Sequence, residues 1–227
     1  MQKVAFFDID GTVFRSNLLV ELIDECIERG ILPAKIREQY VKEHALWSAR
    51  EGTHEVYIDM VVTAYLEHIQ GVYYGDIADA AREVVRNHGK KVYRYSRDLI
   101  NDLKGKDYYL VAVSRSPKTI VDEFCTTLGF DKAYGSIYEI GPRDLFTGNV
   151  TERALLEDKS RIVERVFATG NFSREGSIGV GDTEGDIPLL ESVEIPICFN
   201  PNMKLYTYAK AKKWPVVVER KDVVYTL

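Results

Sequence analysis

Two aspartates near the start of the chain have the spacing that chemistry on a charged substrate requires. Asp8 and Asp10 follow a run of four apolar residues, and Gly11 and Thr12 come directly after them. Two carboxylates this close repel each other, so both stay ionised only beside a cation, or else they share a proton. The alternative is a strand that ends in a solvated aspartate turn, which needs no chemistry. The rest of the chain decides between these interpretations.

Four further polar residues have the types that such a site needs. Asp182 and Asp186 add two acids, Ser114 adds a hydroxyl and Lys159 adds a positive charge. Four acids brought together need a cation, and a set of oxygen ligands favours Mg²⁺. Taken alone, Ser114 is also typical of a helix N-cap and Lys159 of a solvated helix face.

The strands that must position these residues are visible as short apolar runs. Three such runs predict buried strands, and they end at Asp8, Ser114 and Asp182. Strands that alternate with helices predict a Rossmann-like α/β fold, a parallel sheet with helices on both faces. Ligands bind beyond the carboxyl ends of the strands in such sheets, so the polar residues are expected to meet at that edge.

A long helical block interrupts this series after the first strand. Its apolar spacing is that of helices throughout, and no strand pattern divides it. We therefore predict a catalytic core at residues 1–14 and 98–227 and an all-helical cap insertion at 15–97. Further along the chain, a hairpin of short strands is predicted within 133–150 and a single helix over about 152–168.

The composition argues against several classes of protein. A net charge of −5 over 227 residues is untypical of a nucleic-acid binder, and no apolar stretch is long enough to span a membrane. The three cysteines stand singly, which favours reduced thiols in a cytoplasmic protein over a disulfide framework or a zinc site. Neither a Walker A loop nor a complete dinucleotide-binding glycine pattern occurs. The oligomeric state is not readable from the sequence.

The order of these residues resembles the haloacid dehalogenase superfamily of phosphatases with an aspartate nucleophile. The four stretches that resemble its motifs, in order, are Asp8-Ile9-Asp10-Gly11-Thr12, Ser114, Lys159 and Gly181-Asp182 with Asp186. The helical block between the first two is similar to the type-1 cap. The intervals between the later motifs are similar to those of phosphoserine-phosphatase-like members.

The resemblance implies that the aspartates have distinct roles. It implies that Asp8 attacks phosphorus to form an aspartyl-phosphate, and that Asp10 protonates the leaving oxygen and then activates water. It also implies that Asp8, the backbone carbonyl of Asp10 and Asp182 hold Mg²⁺, with Asp186 supporting these ligands.

The remaining motif residues are implied to bind the phosphate. Ser114 and Lys159 would hold the phosphoryl oxygens, and Lys159 would also offset the negative charge of Asp8. Arg115 follows Ser114 and is a further candidate that could reach the phosphate or the insertion.

The expected substrate is a small soluble phosphate monoester, with no nucleic acid or membrane as partner. Asn17 is a candidate substrate contact, because it stands where phosphoserine phosphatases typically have a glutamate that binds the substrate amine. Gly185 stands where they usually have asparagine, and both departures argue against phosphoserine. Other side chains could line the inner face of the insertion, although aromatic residues at helical spacing are mostly core. They are Arg37, His44, Trp47, Arg50, Tyr57 and Tyr65.

Two other functions are open at this stage. The same intermediate could pass its phosphoryl group to an acceptor other than water, which would make the protein a phosphotransferase. The chain could also be a non-catalytic phospholigand-binding protein. The complete set of acids argues against the binding protein, since a binder would not need Asp10.

Overall fold

An eight-stranded sheet forms the centre of the protein in the computed structural model, which describes residues 1–227 except for the side chains of 153 and 154. The strands are β1 (Gln2–Asp8), β2 (Tyr109–Pro117), β3 (Lys132–Ile140), β4 (Phe146–Thr151), β5 (Phe172–Gly181), β6 (Ile195–Phe199), β7 (Val216–Arg220) and β8 (Val223–Thr226). They lie in the order β4-β3-β2-β1-β5-β6-β7-β8.

The six middle strands are parallel, and the two edge strands are antiparallel to their neighbours. The predicted Rossmann-like α/β fold is therefore confirmed, and the predicted hairpin is the β3–β4 pair. Strand β8 was not predicted from the sequence. It extends the far edge by pairing with β7.

Ten α-helices are described along the chain. They are α1 (Leu18–Glu28), α2 (Val41–Ser48), α3 (His54–Ile69), α4 (Tyr74–His88), α5 (Arg94–Gly105), α6 (Lys118–Leu128), α7 (Arg153–Glu157), α8 (Ser160–Thr169), α9 (Ile187–Glu191) and α10 (Met203–Lys212). Short 3-10 turns add Ala34–Gln39, Pro142–Asp144 and Glu184–Asp186. None of the described helices is long and apolar enough to cross a membrane.

Strand β1 is buried on both faces, and successive side chains alternate between two hydrophobic clusters. Ala5 and Phe7 pack in the cluster that includes residues of α1, α4, α5 and α6. Val4 and Phe6 pack in the other cluster, with residues of α8, α9 and α10. The sheet is thus covered by helices on both faces, as predicted.

The helical block lies between β1 and β2, where the sequence predicts it. Helix α1 packs against α4 and α6, and α4 also packs against α6. Residues of α1, α3 and α4 belong to the same hydrophobic cluster as the β1 side chains that face them. The division of the chain at residues 14/15 and 97/98 stays a prediction.

The single helix predicted over about 152–168 was wrong, because two helices meet there at Asp158 and Lys159. Asp158 has an extended backbone (φ −127°, ψ 96°). Its carboxylate accepts hydrogen bonds from the Ser160 amide (3.1 Å) and hydroxyl (2.6 Å). These local hydrogen bonds compete with those of a continuous helix, so α7 ends before Asp158 and α8 begins as a separate helix. Lys159 therefore lies at the start of α8, at its N-cap position.

Candidate active site

The predicted residues of three strands meet at the carboxyl edge of the sheet. In the strand register, Asp8 pairs with Val113 of β2, and Phe7 pairs with Val180 of β5. Ser114 follows Val113 directly, and Asp182 follows Val180 by two residues. The parallel pairing therefore brings the ends of β1, β2 and β5 to one edge, as the sequence predicts.

The Asp8 carboxylate is buried, and its two oxygens have different environments. Oδ1 accepts a hydrogen bond from Lys159 Nζ at 2.6 Å, whereas the buried Oδ2 has no hydrogen-bond partner among the described side chains. Burial raises the pKa of Asp8 to about 7, with the Lys159 charge opposing and the Asp186 charge reinforcing this shift. Oδ2 is thus an oxygen that either a cation or an electrophile could satisfy.

Lys159 joins two of the acids from the start of α8. Its ammonium is buried and donates to Asp8 Oδ1 and, at 2.5 Å, to Asp186 Oδ1. Burial lowers the pKa of Lys159, but the charges of Asp186 and Asp8 outweigh burial, so the pKa lies above its ordinary value. The lysine therefore stays protonated and compensates part of the negative charge.

The carboxylates of Asp8, Asp182 and Asp186 form a cluster that fits a hard cation. Each contributes an oxygen, and these oxygens lie within 4.8 Å of one another. Burial, and then the charges of Asp8 and Asp186, raise the pKa of Asp182 well above its usual value. An all-oxygen donor set with an unpartnered Asp8 oxygen has the chemistry that Mg²⁺ prefers. The residues present therefore fit the predicted ion.

Asp186 is the best supported of the three acids. It is fully buried, and its Oδ2 accepts hydrogen bonds from the backbone amides of Asp182 and Thr183, both at 3.0 Å. With Oδ1 bound to Lys159, both oxygens are engaged. Asp186 thereby fixes the loop that carries Asp182 and orients Lys159.

Gly11 allows the two strand ends to come this close. Its φ is +88°, and a Cβ atom built there would overlap the Asp182 carboxylate. A side chain at this position would be strained by its backbone and would also displace the acid. Thr12, fully buried, donates its hydroxyl to Asp182 Oδ1 at 3.2 Å.

Three hydrogen bonds orient the Asp10 carboxylate. Oδ2 accepts from the hydroxyls of Ser114 (2.6 Å) and Ser116 (2.9 Å), and Oδ1 accepts from the Leu18 amide at the start of α1 (2.6 Å). Ser114 is fully buried in this arrangement, with its hydroxyl directed to Asp10. Asp10 therefore connects the end of β2 to the first helix of the inserted block.

A cavity of about 160 Å³ opens over these acids, lined from one side by the sheet ends and from the other by α1 and α3. Asp8, Asp10, Lys159 and Asp182 are among the lining residues. Asn17 also lines it, although its side-chain oxygen caps α1 by accepting from the amides of residues 19 and 20.

Arg115 lines the same cavity, but its guanidinium points to helix α3. One nitrogen lies 3.2 Å from Glu55 and 3.4 Å from Asp59. In this conformation the side chain links the end of β2 to the inserted helices. Its predicted contact with phosphate stays a prediction.

Sequence reasoning missed several residues of this site. Ser116 lies two positions after Ser114, so strand alternation could have identified it as a second hydroxyl on the same side. Thr12 belongs to the first motif, but the sequence alone indicates no role for its hydroxyl. His54 and Glu55 also line the cavity, and nothing in the sequence distinguished them from other residues of the helical block.

The fold is an open α/β sheet with an aspartate pair after its first strand. A lysine and two further acids lie beside this pair, and together these features are typical of one class of hydrolase. Residues 5–191 match the model of the haloacid dehalogenase-like hydrolases, and the chain belongs to this family.

Relatives and solved structures share the family fold at low identity. The chain is 23% identical over 218 residues to the "Inhibition of morphological differentiation protein" of Streptomyces azureus (95% of this chain, 78% of that protein). It is 22% identical to a histidinol-phosphatase of Neisseria meningitidis over 96% of this chain and 99% of that protein. A substrate-bound phosphoserine phosphatase structure superposes with a TM-score of 0.64 at 19% identity, covering 98% and 95% of the two chains.

These findings confirm two predictions. The chain is a member of the haloacid dehalogenase-like hydrolases, and it has a phosphoserine-phosphatase-like fold. The roles of the individual site residues stay predictions.

Proposed function

We propose that the protein is a Mg²⁺-dependent phosphatase that hydrolyses a small phosphate monoester through an aspartyl-phosphate on Asp8. The observation that carries the proposal is the Asp8 carboxylate, which is held on one oxygen by Lys159 and has no partner on the other within the described part of the structure. A fixed, unpartnered carboxylate oxygen facing a small cavity is suited to attack on phosphorus.

In the first step, an Asp8 oxygen forms a bond to phosphorus while the bond from phosphorus to the alcohol oxygen breaks. Asp10 gives a proton to the departing alcohol. In the second step, water attacks the aspartyl-phosphate, Asp10 takes the proton of that water, and the Asp8 carboxylate and phosphate are released. The three hydrogen bonds to Asp10 support this role, because they hold its carboxylate in one orientation.

The carboxylates of Asp8 and Asp182 and the backbone carbonyl of Asp10 would hold Mg²⁺. The ion would offset the negative charge of the phosphoryl group. Asp186 keeps Asp182 and Lys159 in position through its hydrogen bonds.

The other predicted residues contact the substrate in this proposal. Ser114 binds a phosphoryl oxygen by turning its hydroxyl hydrogen from Asp10 to the substrate, while Ser116 and the Leu18 amide continue to hold Asp10. Lys159 binds another phosphoryl oxygen. Arg115 adds positive charge at the rim of the cavity, and Asn17 faces the alcohol of the ester. The three cysteines are free and buried, which supports the predicted cytoplasmic location.

The test is phosphate release from a panel of small phosphate esters with Mg²⁺, comparing the wild type with Asp8→Asn. We expect a loss of at least about 10³-fold, because the nucleophile is removed. Asp79→Asn, which changes an exposed acid on α4, is the matched control and should retain full activity. Equal activity of Asp8→Asn and wild type would contradict the proposal. Faster turnover with added alcohols would instead indicate a phosphotransferase.

A further inference from the structure

A second cavity, of about 390 Å³, adjoins the catalytic one. Four residues line both cavities: Asn17, His54, Asp182 and Thr183. Because one of them is a catalytic-site acid, the second cavity meets the first at the acids and not at a distant rim. A substrate whose phosphate lies over Asp8 could therefore extend into it.

Rings from the inserted helices form one wall of this second cavity. Trp47 stacks on Tyr57, with ring centroids 5.5 Å apart and planes inclined by 10°. His54 lies 5.0 Å from Trp47, and His44 lies 5.0 Å from Tyr57, centroid to centroid. All four residues line the cavity, which gives it a continuous aromatic surface.

The rest of the lining is largely polar. It includes Arg15, Asn200 and Asn202. The Arg15 guanidinium lies 5.7 Å from the ring centroid of Tyr93, another lining residue. An apolar wall faced by a few polar groups is the usual character of a pocket for a small organic ligand, and the volume lies within the common range.

Core packing does not account for Trp47. Helix α2 buries none of its residues, and the Trp47 side chain is 39% exposed, whereas Tyr57 beneath it is 5% exposed. An indole held by stacking on a buried ring, with its own surface open, is placed to pack against something else. Burial also lowers the pKa of His54, which keeps this ring uncharged near neutral pH.

We propose that this second cavity binds a flat aromatic or heteroaromatic ring in the alcohol part of the substrate. The inference rests on the proposed phosphatase function and narrows its substrate class to phosphate monoesters of alcohols that carry such a ring. Trp47 is the specificity-determining residue, because it is the largest ring of the aromatic wall and its own surface is exposed.

The catalytic cavity also extends past Arg115, where Asp59 and Glu67 line a space of about 570 Å³. An acidic extension of this kind suits a cationic alcohol. That space shares no catalytic acid with the first cavity, and its Arg115 is already paired with Asp59. The aromatic side is therefore favoured, and a preference for amines becomes an outcome of the test.

The test compares benzyl phosphate with cyclohexylmethyl phosphate, which is similar in size but lacks an aromatic ring. We expect wild-type kcat/KM to be about tenfold higher for benzyl phosphate, the upper part of the range for one aromatic pair. Trp47→Ala should abolish this preference, and Trp47→Phe should restore most of it. Val41→Ala, an exposed position on the same helix, is the control that should keep it.

Equal rates for the two esters, or a stronger preference for an aliphatic amine ester such as phosphoethanolamine, would overturn the inference while leaving the phosphatase proposal standing. Binding tests the cavity even if no ester is turned over. In Trp214→Phe, Trp47 is the only remaining tryptophan of two. Benzylphosphonate, which has no scissile ester bond, should then change the fluorescence of Trp47 at about tenfold lower concentration than cyclohexylmethylphosphonate does. Equal titration curves would contradict the inference.

Discussion

The two walls of the catalytic cavity are built in opposite ways. The wall formed by the sheet ends contains Asp8, Lys159 and Asp186, all nearly excluded from water, and among the described residues four of their five polar side-chain atoms are hydrogen-bonded to one another or to backbone amides. The wall formed by the inserted helices contains His54 and Glu55, which are half-buried, and Glu55 pairs with the exposed Arg115 from the end of β2.

This difference separates the reaction from the choice of substrate. Charges buried together must be compensated within the protein, so a change at the sheet ends affects both chemistry and stability. Solvated ion pairs contribute little, so the helical wall can change with little cost in folding free energy. In the proposed function, the sheet ends would therefore carry out the reaction, and the helical wall would be free to select the ester.

After loss of the Asp8 nucleophile, the largest effect on activity is expected for Asp10→Asn. Removing the proton donor and acceptor should lower kcat by about 10²–10⁴-fold for esters of ordinary alcohols. The loss should be smaller for p-nitrophenyl phosphate, whose leaving group needs no proton. Steady-state kinetics on both substrates measure this difference. Because hydrolysis of the aspartyl-phosphate is common to both substrates, the comparison uses kcat/KM, which reports the first step, and an equal loss of kcat/KM on both would contradict proton transfer from Asp10 to the leaving alcohol.

Lys159→Met should destabilise the fold by about 3–5 kcal/mol without Mg²⁺, because it leaves two buried carboxylates without their cation. Urea unfolding measures this change. Lys204→Met is the matched control, since this exposed lysine pairs with Glu184 at the surface end of its side chain, and the change should cost less than about 1 kcal/mol. Equal costs for the two variants would remove the contrast between buried and exposed charges.

Mg²⁺ should raise the melting temperature more at pH 8 than at pH 5. The folded-state pKa of Asp8, about 7, lies above its ordinary value of 3.8, so the folded protein binds more protons than the unfolded chain between these values. Stability without Mg²⁺ therefore falls as the pH rises through this window, and a bound cation offsets the loss. Thermal unfolding with and without Mg²⁺ tests this. A shift independent of pH would contradict it.

The smallest effect is expected for Arg115→Ala. Its contacts with Glu55 and Asp59 are exposed, so unfolding free energy should change by about 0.2–1 kcal/mol. Loss of positive charge from the cavity should raise KM similarly for all esters, by less than about tenfold, with little change in kcat. A large fall in kcat would show that Arg115 acts in the reaction as the sheet-end residues do, and it would contradict the division between the two walls.

The strand-end part of the site could be predicted because parallel pairing fixes it. Once β1, β2 and β5 are recognised as neighbouring parallel strands, Asp8, Ser114 and Asp182 must come together. Ser116 could have been added by the same alternation along β2. These are local rules applied to short apolar runs, and the register bears them out.

The helical wall could not be predicted in the same way. The contact of Arg115 with Glu55 depends on how α3 lies against the end of β2, which no local pattern specifies. The break at Lys159 was also missed, because Asp158 and Ser160 are compatible with a continuous helix and end it only through their mutual hydrogen bonds. The exposure of Trp47 follows from the tertiary position of α2 and not from its composition.

Lys159 lies 151 residues from Asp8 and 27 from Asp186 in the chain, although its ammonium contacts both. During synthesis, the site cannot assemble until residue 186 has emerged, so any shorter N-terminal fragment lacks it. Contacts of such long range form late and slow the folding of a domain. A divalent ion that needs Asp8 and Asp182 together binds only the folded protein. Its binding would therefore also report the fraction of molecules that have reached the native state.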